Sequence, residues 1–359
     1  MYGSNAQPRP GNAGRAGGDQ RGIALIITLL AVTLMITLIL ELDFHTRMDL
    51  RGAGNFRDYS QASVLADSAA QAASVLLYVD TVESGSYDGM DEYWYLVAQM
   101  PMEAGGGTAH LLISDEDGKF DINTLKSDPD ADGPPQPQTD IYRRMLQNVL
   151  NLEPEDVAPL VDSLLDWLDE DSDERGGGAE MSYYQALERP YPVANSRFRT
   201  LDELALVKGY TREIRARLGE YITVIEEPPG GVGSGNSGGT TSPVRPLKLN
   251  INTAPEELLR ALDEEMPQGV VNDILRMRAD EPFKTVDLGA LLAVHGLGTD
   301  TRLINALKPL FVQQSNHFLV EATGMVGETQ RTVRAMMGRV MRGNVLGKQR
   351  MEVLWWRVE

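Results

Sequence analysis

The chain has 359 residues, of which 42% are hydrophobic, enough to form two or more folded domains. It carries 52 Asp and Glu residues against 33 Lys and Arg, a formal charge of −19, and such a surface repels phosphate backbones, which argues against general nucleic-acid binding. Cysteine is absent, which excludes disulfides, thiolate catalysis and zinc–thiolate sites.

The first predicted element is a membrane helix. Residues 23–40 form an uncharged apolar run, and eighteen residues at about 1.5 Å each nearly cross a hydrocarbon core of roughly 30 Å. A secretory signal has a shorter apolar region with a small-residue cleavage site behind it, whereas Glu41 follows this run directly. The flank before the run carries three arginines against one aspartate, so the positive-inside rule keeps residues 1–22 in the cytoplasm and places the rest outside.

Beyond the membrane run, the sequence predicts one long helix followed by strands. Proline is missing from residues 11–100, and a stripe of apolar and small residues continues to about Tyr78, which favours helix. The residue pattern predicts strands over residues 109–114 and 119–123 and, near the end of the chain, over 316–324, 332–341 and 351–358. The strands form an antiparallel sheet that covers the helix, and we therefore expect an α+β fold.

The region between the two strand groups has a helical pattern and contains an internal repeat. Residues 122–125 match residues 251–254, and residues 198–202 match residues 283–287. Each copy continues to a glycine turn and then to another helix. The first copy is longer, because residues from about 166 to 195 have no counterpart in the second, and such an insertion is a natural place for a functional site.

Two further patterns concern the second copy and the segment that precedes it. Thr253, with Glu256 three residues later, predicts a capping box at a helix start. Residues 226–247, between the copies, are rich in Gly, Ser, Thr and Pro, which predicts a flexible linker.

The insertion in the first copy carries the clearest candidate site. Asp169, Asp171 and Asp173 alternate, and Glu180 stands eleven residues after Asp169, which is the one, three, five and twelve spacing of an EF-hand-type calcium loop. Clustered carboxylates repel one another unless a cation compensates them, and calcium prefers oxygen ligands. Position six is Glu174 rather than glycine, and no strong partner helix begins at Glu180, so a solvated acidic loop remains the alternative.

The sequence contains a match to a catalytic motif, but the match lacks the structural context that the motif requires. Residues 235–239 satisfy the serine-hydrolase elbow pattern, but they lie in the linker without the strand and helix that would aim a nucleophile. The four histidines have no short metal-ligand spacing. We therefore expect no enzymatic activity.

The repeated helix, glycine turn and helix resemble the helix-hairpin-helix element of DNA-binding proteins, with turns at Gly209 and Gly296. Such hairpins bind phosphate through backbone amides helped by basic residues. Residues 248–309 carry seven Lys and Arg against ten Asp and Glu, which favours use of the fold as a scaffold. A membrane-anchored DNA-binding protein of a competence or type IV pilus system remains the alternative function.

The start of the chain resembles a type IV prepilin leader, in which a polar tail ends in Arg21-Gly22 and a helix begins at Ile23. In that family a membrane peptidase cuts after the glycine and the new amino terminus is methylated. The resemblance therefore implies that Gly22 and Ile23 flank the processing site. The fifth mature position, a glutamate in most pilins, is Ile27 here.

Over nearly its full length the sequence is similar to the family of minor pseudopilin K of the type II secretion system, also called general secretion pathway protein K. The missing glutamate at Ile27 is a departure that this family shares. The other matching features are the leader and the segments 118–123, 166–171, 178–180, 183–184 and 190–191, together with Asn195.

The resemblance implies a pilin-like long N-terminal helix packed on an antiparallel sheet, with a large inserted helical domain that contains the two hairpin-like repeats. We expect a leader over 1–22, a transmembrane helix over 23–40 and the first part of the pilin-like domain over 41–124. The inserted domain is expected over 125–315, with its linker at 226–247, and the second part of the pilin-like domain over 316–359.

The resemblance also implies a structural role at the tip of the pseudopilus, which the protein starts or caps for export of folded proteins. The implied partners are minor pseudopilins I and J, the major pseudopilin, the prepilin peptidase and the inner-membrane secretion platform, without nucleic acid. The implied location is a single pass through the inner membrane of a Gram-negative cell, with the C-terminal domain in the periplasm. By family likeness, Asn195 joins Asp169, Asp171, Asp173 and Glu180 as a calcium ligand.

Overall fold

The structure is a computed structural model that describes residues 19–83, 85–125, 137–225, 246–341 and 349–359. Most of the leader and nearly all of the predicted linker lie outside the described residues. The chain divides into two compact units, residues 1–60 and residues 61–359. Their elements in chain order are helices α1 (Asp19–Glu83) and α2 (Tyr93–Ala98), strands β1 (Met102–Ala104), β2 (Gly107–Asp115) and β3 (Phe120–Asp121), helices α3 (Pro137–Leu150), α4 (Pro154–Leu168), α5 (Met181–Gln185) and α6 (Arg212–Leu218), strands β4 (Ile222–Thr223) and β5 (Leu249–Asn250), helices α7 (Glu256–Ala261), α8 (Gln268–Asp280), α9 (Leu288–Ala293) and α10 (Thr301–Leu307), and strands β6 (Phe311–Val312), β7 (His317–Val326), β8 (Thr329–Met341) and β9 (Gln349–Val358).

The first unit consists, in its described part, of the beginning of α1. Within the described residues this is the one helix long and apolar enough to cross a membrane, and none of its most apolar window is buried. The hydroxyls of Thr28, Thr33 and Thr37 donate to backbone carbonyls three or four residues earlier, so these polar groups have partners inside the helix. The segment is consistent with a single-pass membrane anchor.

The second unit contains the end of α1 and a five-stranded antiparallel sheet in the order β1-β2-β7-β8-β9. Ala109, Leu111 and Ile113 alternate along β2 towards the buried face, as the sequence pattern predicts. Small residues of α1, among them Ala66, pack against this face. Gly324 of β7 lies so close to the helix that a β-carbon there would overlap the Ala62 carbonyl oxygen. The predicted α+β fold is confirmed.

The helical region between β2 and β7 forms a second hydrophobic core. In each sequence copy the first and last segments pair as short parallel strands: β3 pairs with β4, and β5 with β6. Each copy also turns at a glycine with positive φ, Gly209 at +86° and Gly296 at +77°. The sequence repeat therefore corresponds to a repeated structural unit.

Two local predictions were wrong. The strand predicted over 119–123 shortens to β3, because the Asn123 N–H donates to Asp121 Oδ1 at 3.1 Å and a 3₁₀ turn follows. The predicted capping box at Thr253 does not form, since Pro255 is the N-cap residue of α7 and the Thr253 hydroxyl donates to Asp115 Oδ2 at 2.5 Å. A capping box forms instead in the first copy, between Thr200 and Glu203.

A buried polar network joins the second copy to the base of the sheet. Asn250 Nδ2 donates to the Asp88 carbonyl, to Asp115 Oδ2 and to Ser315 Oγ at 2.8–3.0 Å. The guanidinium of Arg339, on β8, contacts both carboxylate oxygens of the buried Asp88. Burial, and then the charge of Asp117, raises the pKa of Asp115 to about 7.

Candidate metal centre

The site begins where helix α4 ends. Pro154 opens this helix at a position where its missing N–H removes no helical hydrogen bond, and Leu164, Trp167 and Leu168 bury its apolar face in the helical core. The helix stops at Leu168, and Asp169 takes an extended conformation as its C-cap, with its N–H bonded to the Leu165 carbonyl at 3.0 Å. The helix end therefore fixes the position of Asp169.

Three carboxylates meet beyond this helix end. Asp169, Asp171 and Glu180 each present an oxygen, and these oxygens lie within 4.8 Å of one another. Asp169 and Glu180 are each only 3% exposed, while Asp171 is exposed. Such an arrangement concentrates negative charge at low solvent exposure, which is unfavourable without a cation.

Several oxygen atoms in this group are buried and have no hydrogen-bond partner among the described residues: Asp169 Oδ1, both carboxylate oxygens of Glu180, and Asn195 Oδ1. A buried acceptor without a partner costs about 1–3 kcal/mol. These four buried acceptors, without partners in the described part of the chain, are available to a ligand. The donor set consists of carboxylate and amide oxygens, which suits a hard cation such as calcium.

Asn195 is joined to the acidic loop through its amide. It has a positive φ of 44°, which asparagine tolerates better than most residues. Its Nδ2 donates to the Asp171 carbonyl at 2.7 Å, so the side chain bridges to the acidic loop and leaves its own Oδ1 without a partner in the described part of the chain. The residue thus fits the role of an additional oxygen ligand.

The protonation of Glu180 reflects the same crowding. Burial, followed by the charges of Asp166 and Asp169, raises the pKa of Glu180 to about 7. Burial also raises the pKa of Asp169, although Arg175 opposes this. Burial is the largest cause of both shifts, and the neighbouring carboxylates add to each of them.

Asp166 organises the loop that closes the site. This aspartate is fully buried, and its Oδ2 accepts hydrogen bonds from the Ala179 N–H at 2.8 Å and the Arg175 N–H at 3.3 Å. The Gly177 N–H donates to Asp162 Oδ2 at 3.0 Å. A β-carbon at Gly178 would overlap the Asp166 carboxylate, so glycine is required there. The calcium-loop spacing begins at Asp169 and therefore did not identify Asp166.

The structure brings together most of the predicted ligands, but Asp173 lies apart from them. Asp173 is exposed, and its N–H donates to Asp171 Oδ1 at 2.8 Å. Its contribution is therefore to orient Asp171 through the backbone. Glu180 stands at the start of α5, a helix of five residues.

A second acidic group, formed by Asp80, Asp88 and Glu92, also has oxygens within 4.8 Å of one another. The Arg339 guanidinium contacts Asp80 at 3.2 Å and Asp88 at 2.5 Å, and its side chain is 1% exposed. Because a buried arginine already supplies positive charge there, this group is a structural ion-pair network.

Two arginines of the second copy make contacts within the fold. Arg278 donates to the carbonyls of Ile251 and Ala254, and Arg302 pairs with Asp263 and Glu265. These cations serve contacts within the second copy. In the second copy, this geometry agrees with use of the hairpin as a scaffold.

Comparison with known proteins gives concordant results. Two family models, both described as type II secretion system protein K, match residues 118–227 and 249–308. The type II secretion system protein K of Pseudomonas aeruginosa is 29% identical over 279 residues, 75% of each chain. That of Klebsiella pneumoniae is 25% identical over 343 residues, which covers 94% of this chain and 98% of the relative.

The fold also matches a solved structure. One chain of the crystal structure of the GspK-GspI-GspJ complex from the enterotoxigenic Escherichia coli type 2 secretion system superimposes with a TM-score of 0.67 and 20% identity, covering 86% of this chain and 99% of that one. The matched domains, the full-length relatives and the shared fold lead to one conclusion: the chain belongs to the protein K family of the type II secretion system, and is a minor pseudopilin.

Proposed function

We propose that this minor pseudopilin occupies the tip of the type II secretion pseudopilus, where it starts or caps assembly of the filament for export of folded proteins. The observation that supports this most is the helical insertion between β2 and β7, a region of about 200 residues that enlarges one end of the sheet. Such a bulky addition suits a terminal subunit better than one that must stack repeatedly. The role is structural and involves no catalysis.

The residue at the fifth mature position supports the same place. In the pilin resemblance, the usual glutamate meets the amino terminus of the subunit ahead, and a first subunit has none ahead of it. Ile27 leaves α1 without a carboxylate in its apolar part, which avoids placing an unpaired charge in the hydrocarbon core. Residues 23–40 would then cross the inner membrane as an uncharged helix, with the C-terminal domain in the periplasm.

The partners we propose are minor pseudopilins I and J, because the solved relative was crystallised in a complex named for GspK, GspI and GspJ. The major pseudopilin would follow beneath this tip complex. The prepilin peptidase and the inner-membrane platform would act before and during assembly. Calcium, held by Asp169, Asp171, Glu180 and Asn195, would fix the acidic loop to the end of α4.

Filament labelling tests the position. Antibodies against the chain, applied to pseudopili assembled with all minor pseudopilins, should mark one end of each filament. The full chain should also co-purify in detergent with minor pseudopilins I and J. Labelling along the whole filament would contradict the tip assignment.

Processing is tested separately. Amino-terminal mass analysis of the membrane-extracted protein should find methylated Ile23 as the first residue. Recovery of an intact Met1 terminus would exclude prepilin maturation.

DNA binding by the hairpins is tested by a gel-shift titration of the full chain at several salt concentrations. A phosphate-dominated complex weakens steeply as salt rises. With a net charge of −19, we expect no shift at physiological salt. Tight, salt-dependent binding would favour the DNA-binding alternative.

A further inference from the structure

We propose that Arg175 is the internal counter-ion of the candidate calcium site: it holds the acidic loop together before calcium binds, and it thereby weakens calcium binding. The inference rests on the calcium site proposed above. In this inference, one basic residue of the acidic loop sets the calcium affinity of the site.

Arg175 bridges the two carboxylates at the end of α4. Its Nη1 lies 2.6 Å from Asp166 Oδ1 and 2.5 Å from Asp169 Oδ2. The two aspartate side chains are 0% and 4% exposed, and the arginine side chain is 26% exposed. Charge-assisted hydrogen bonds at this burial are stronger than those between exposed groups.

The arginine and the cation use opposite sides of one carboxylate. Arg175 contacts Asp169 Oδ2, whereas Asp169 Oδ1 is buried and has no hydrogen-bond partner among the described residues, so it is the oxygen left for a cation. A cation bound by Oδ1 would therefore be a neighbour of Arg175 and would not replace it. The two positive charges would share the same aspartate.

The net charge of the site determines how Arg175 affects calcium binding. Asp166, Asp169, Asp171 and Glu180, when all are ionised, place four negative charges in and beside the site. Arg175 offsets one of them in the absence of calcium, and it then repels a divalent ion that approaches the same carboxylates. Calcium affinity in oxygen sites depends on the net charge of the ligands. Arg175 should therefore stabilise the calcium-free loop and lower the affinity.

An opposing effect is loss of orientation, since removing a group behind a metal ligand can weaken binding by about 10–100-fold. Here the two aspartates have other restraints. The Asp169 N–H is bonded to the Leu165 carbonyl at the helix end, and Asp166 accepts from two backbone N–H groups. Because these contacts survive removal of the guanidinium, the change in charge should dominate.

The test compares Arg175→Gln, Arg175→Lys and wild type as full chains in detergent, with Arg189→Gln as a control at an exposed position of the same insertion. Melting is followed with chelator and across a calcium titration. In chelator, Arg175→Gln should melt several degrees below wild type, because Asp166 and Asp169 lose their cation. Its calcium Kd should be about tenfold lower. Arg175→Lys and Arg189→Gln should bind calcium like wild type.

The outcomes are distinguishable. If wild type shows no calcium response, the calcium site fails and this inference fails with it, while the pseudopilin assignment stands on separate tests. If wild type responds but Arg175→Gln binds calcium equally or more weakly, only the counter-ion role is overturned. Should Arg175→Gln not fold, Arg175→Lys decides, since a Kd weakened about tenfold would assign Arg175 a geometric role and overturn the proposal.

Discussion

Asn252 and Phe283 are joined by two hydrogen bonds: Asn252 Nδ2 donates to the Phe283 carbonyl at 3.1 Å, and the Phe283 N–H donates to Asn252 Oδ1 at 2.8 Å. Asn123 and Phe198 form the same pair in the first copy, with both distances 2.9 Å. Each asparagine connects the start of its copy to the segment before the glycine hairpin. The matched sequence positions are therefore the two ends of a contact that both copies make.

Replacing either asparagine with alanine should destabilise the helical core. Each change leaves the N–H and the carbonyl of a phenylalanine without their partner, and we expect a loss of about 2 kcal/mol in the free energy of unfolding. Urea unfolding of Asn123→Ala and Asn252→Ala measures this, with the exposed Asn305→Ala as control. Losses no larger than that of the control would show that the contacts are not structural.

Calcium should raise the melting temperature of the protein, and Asp171→Ala should abolish that effect, because it removes a carboxylate from the oxygen group. Asp173→Ala is the matched comparison. The EF-hand spacing makes Asp173 a ligand, whereas the structure places its side chain outside the group. Thermal melts with chelator and with calcium should show a retained response in Asp173→Ala. If both variants lost the calcium response equally, Asp173 would be a ligand, as the EF-hand spacing predicts and the structure does not.

Gly178→Ala should destabilise the acidic loop, because the added methyl group meets the Asp166 carboxylate. Overpacking of this kind costs about 1–3 kcal/mol. Gly176→Ala is the control, since a β-carbon at Gly176 has no atom within 4 Å among the described residues. Chemical unfolding in chelator compares them, and an undisturbed Gly178→Ala protein would disprove the close approach.

Stability should fall as pH rises from about 4 to about 7 through the contribution of Asp115. The pKa of Asp115 is raised to about 7 in the folded protein. As pH rises, this carboxyl group therefore loses its proton at a lower pH in the unfolded chain than in the folded protein. The contribution of Asp115 to the free energy of unfolding is fully present below its pKa in the unfolded chain. It is lost as pH rises through its pKa in the folded protein. Asp117, Asp88 and Arg339 also influence this group.

Asp115→Asn isolates the effect, because the amide cannot ionise. Between pH 4 and 7, the difference in unfolding free energy between variant and wild type should change in favour of the variant, by as much as about 4 kcal/mol. Glu328→Gln, at an exposed turn, is the control. Parallel stability curves for Asp115→Asn and wild type would refute a perturbed Asp115.

Local patterns predicted much of this architecture. The apolar run and the absence of proline indicated α1, and alternation indicated β2 and the last three strands, because period and composition are properties of neighbouring residues. Spacing also found Asp169, Asp171 and Glu180. The remaining features depend on contacts between distant positions, such as Thr253 with Asp115, 138 residues apart. No local signal distinguishes that hydroxyl from a helix cap.

The same limit applies at the metal centre. Asp166 and Arg175 are both close in sequence to the acidic loop, yet their roles follow from a shared bridge that spacing does not encode. Asp173 fits the linear pattern, but its side chain is not part of the oxygen group, and its backbone N–H donates to Asp171 Oδ1. A ligand motif specifies which oxygens are available, and the fold decides which of them converge.

The register of the sheet also bears on how such a protein could arise. Asp115 of β2 pairs with Phe318 of β7, and His317 contacts Asp117 across 200 residues of sequence, so the entire insertion is topologically the loop of one β-hairpin. The entropy lost on closing a loop grows only with the logarithm of its length. A short turn could thus be exchanged for a domain without changing the strand pairing, so the sheet and the helix packed on it could stay as they are while the chain gained a second hydrophobic core.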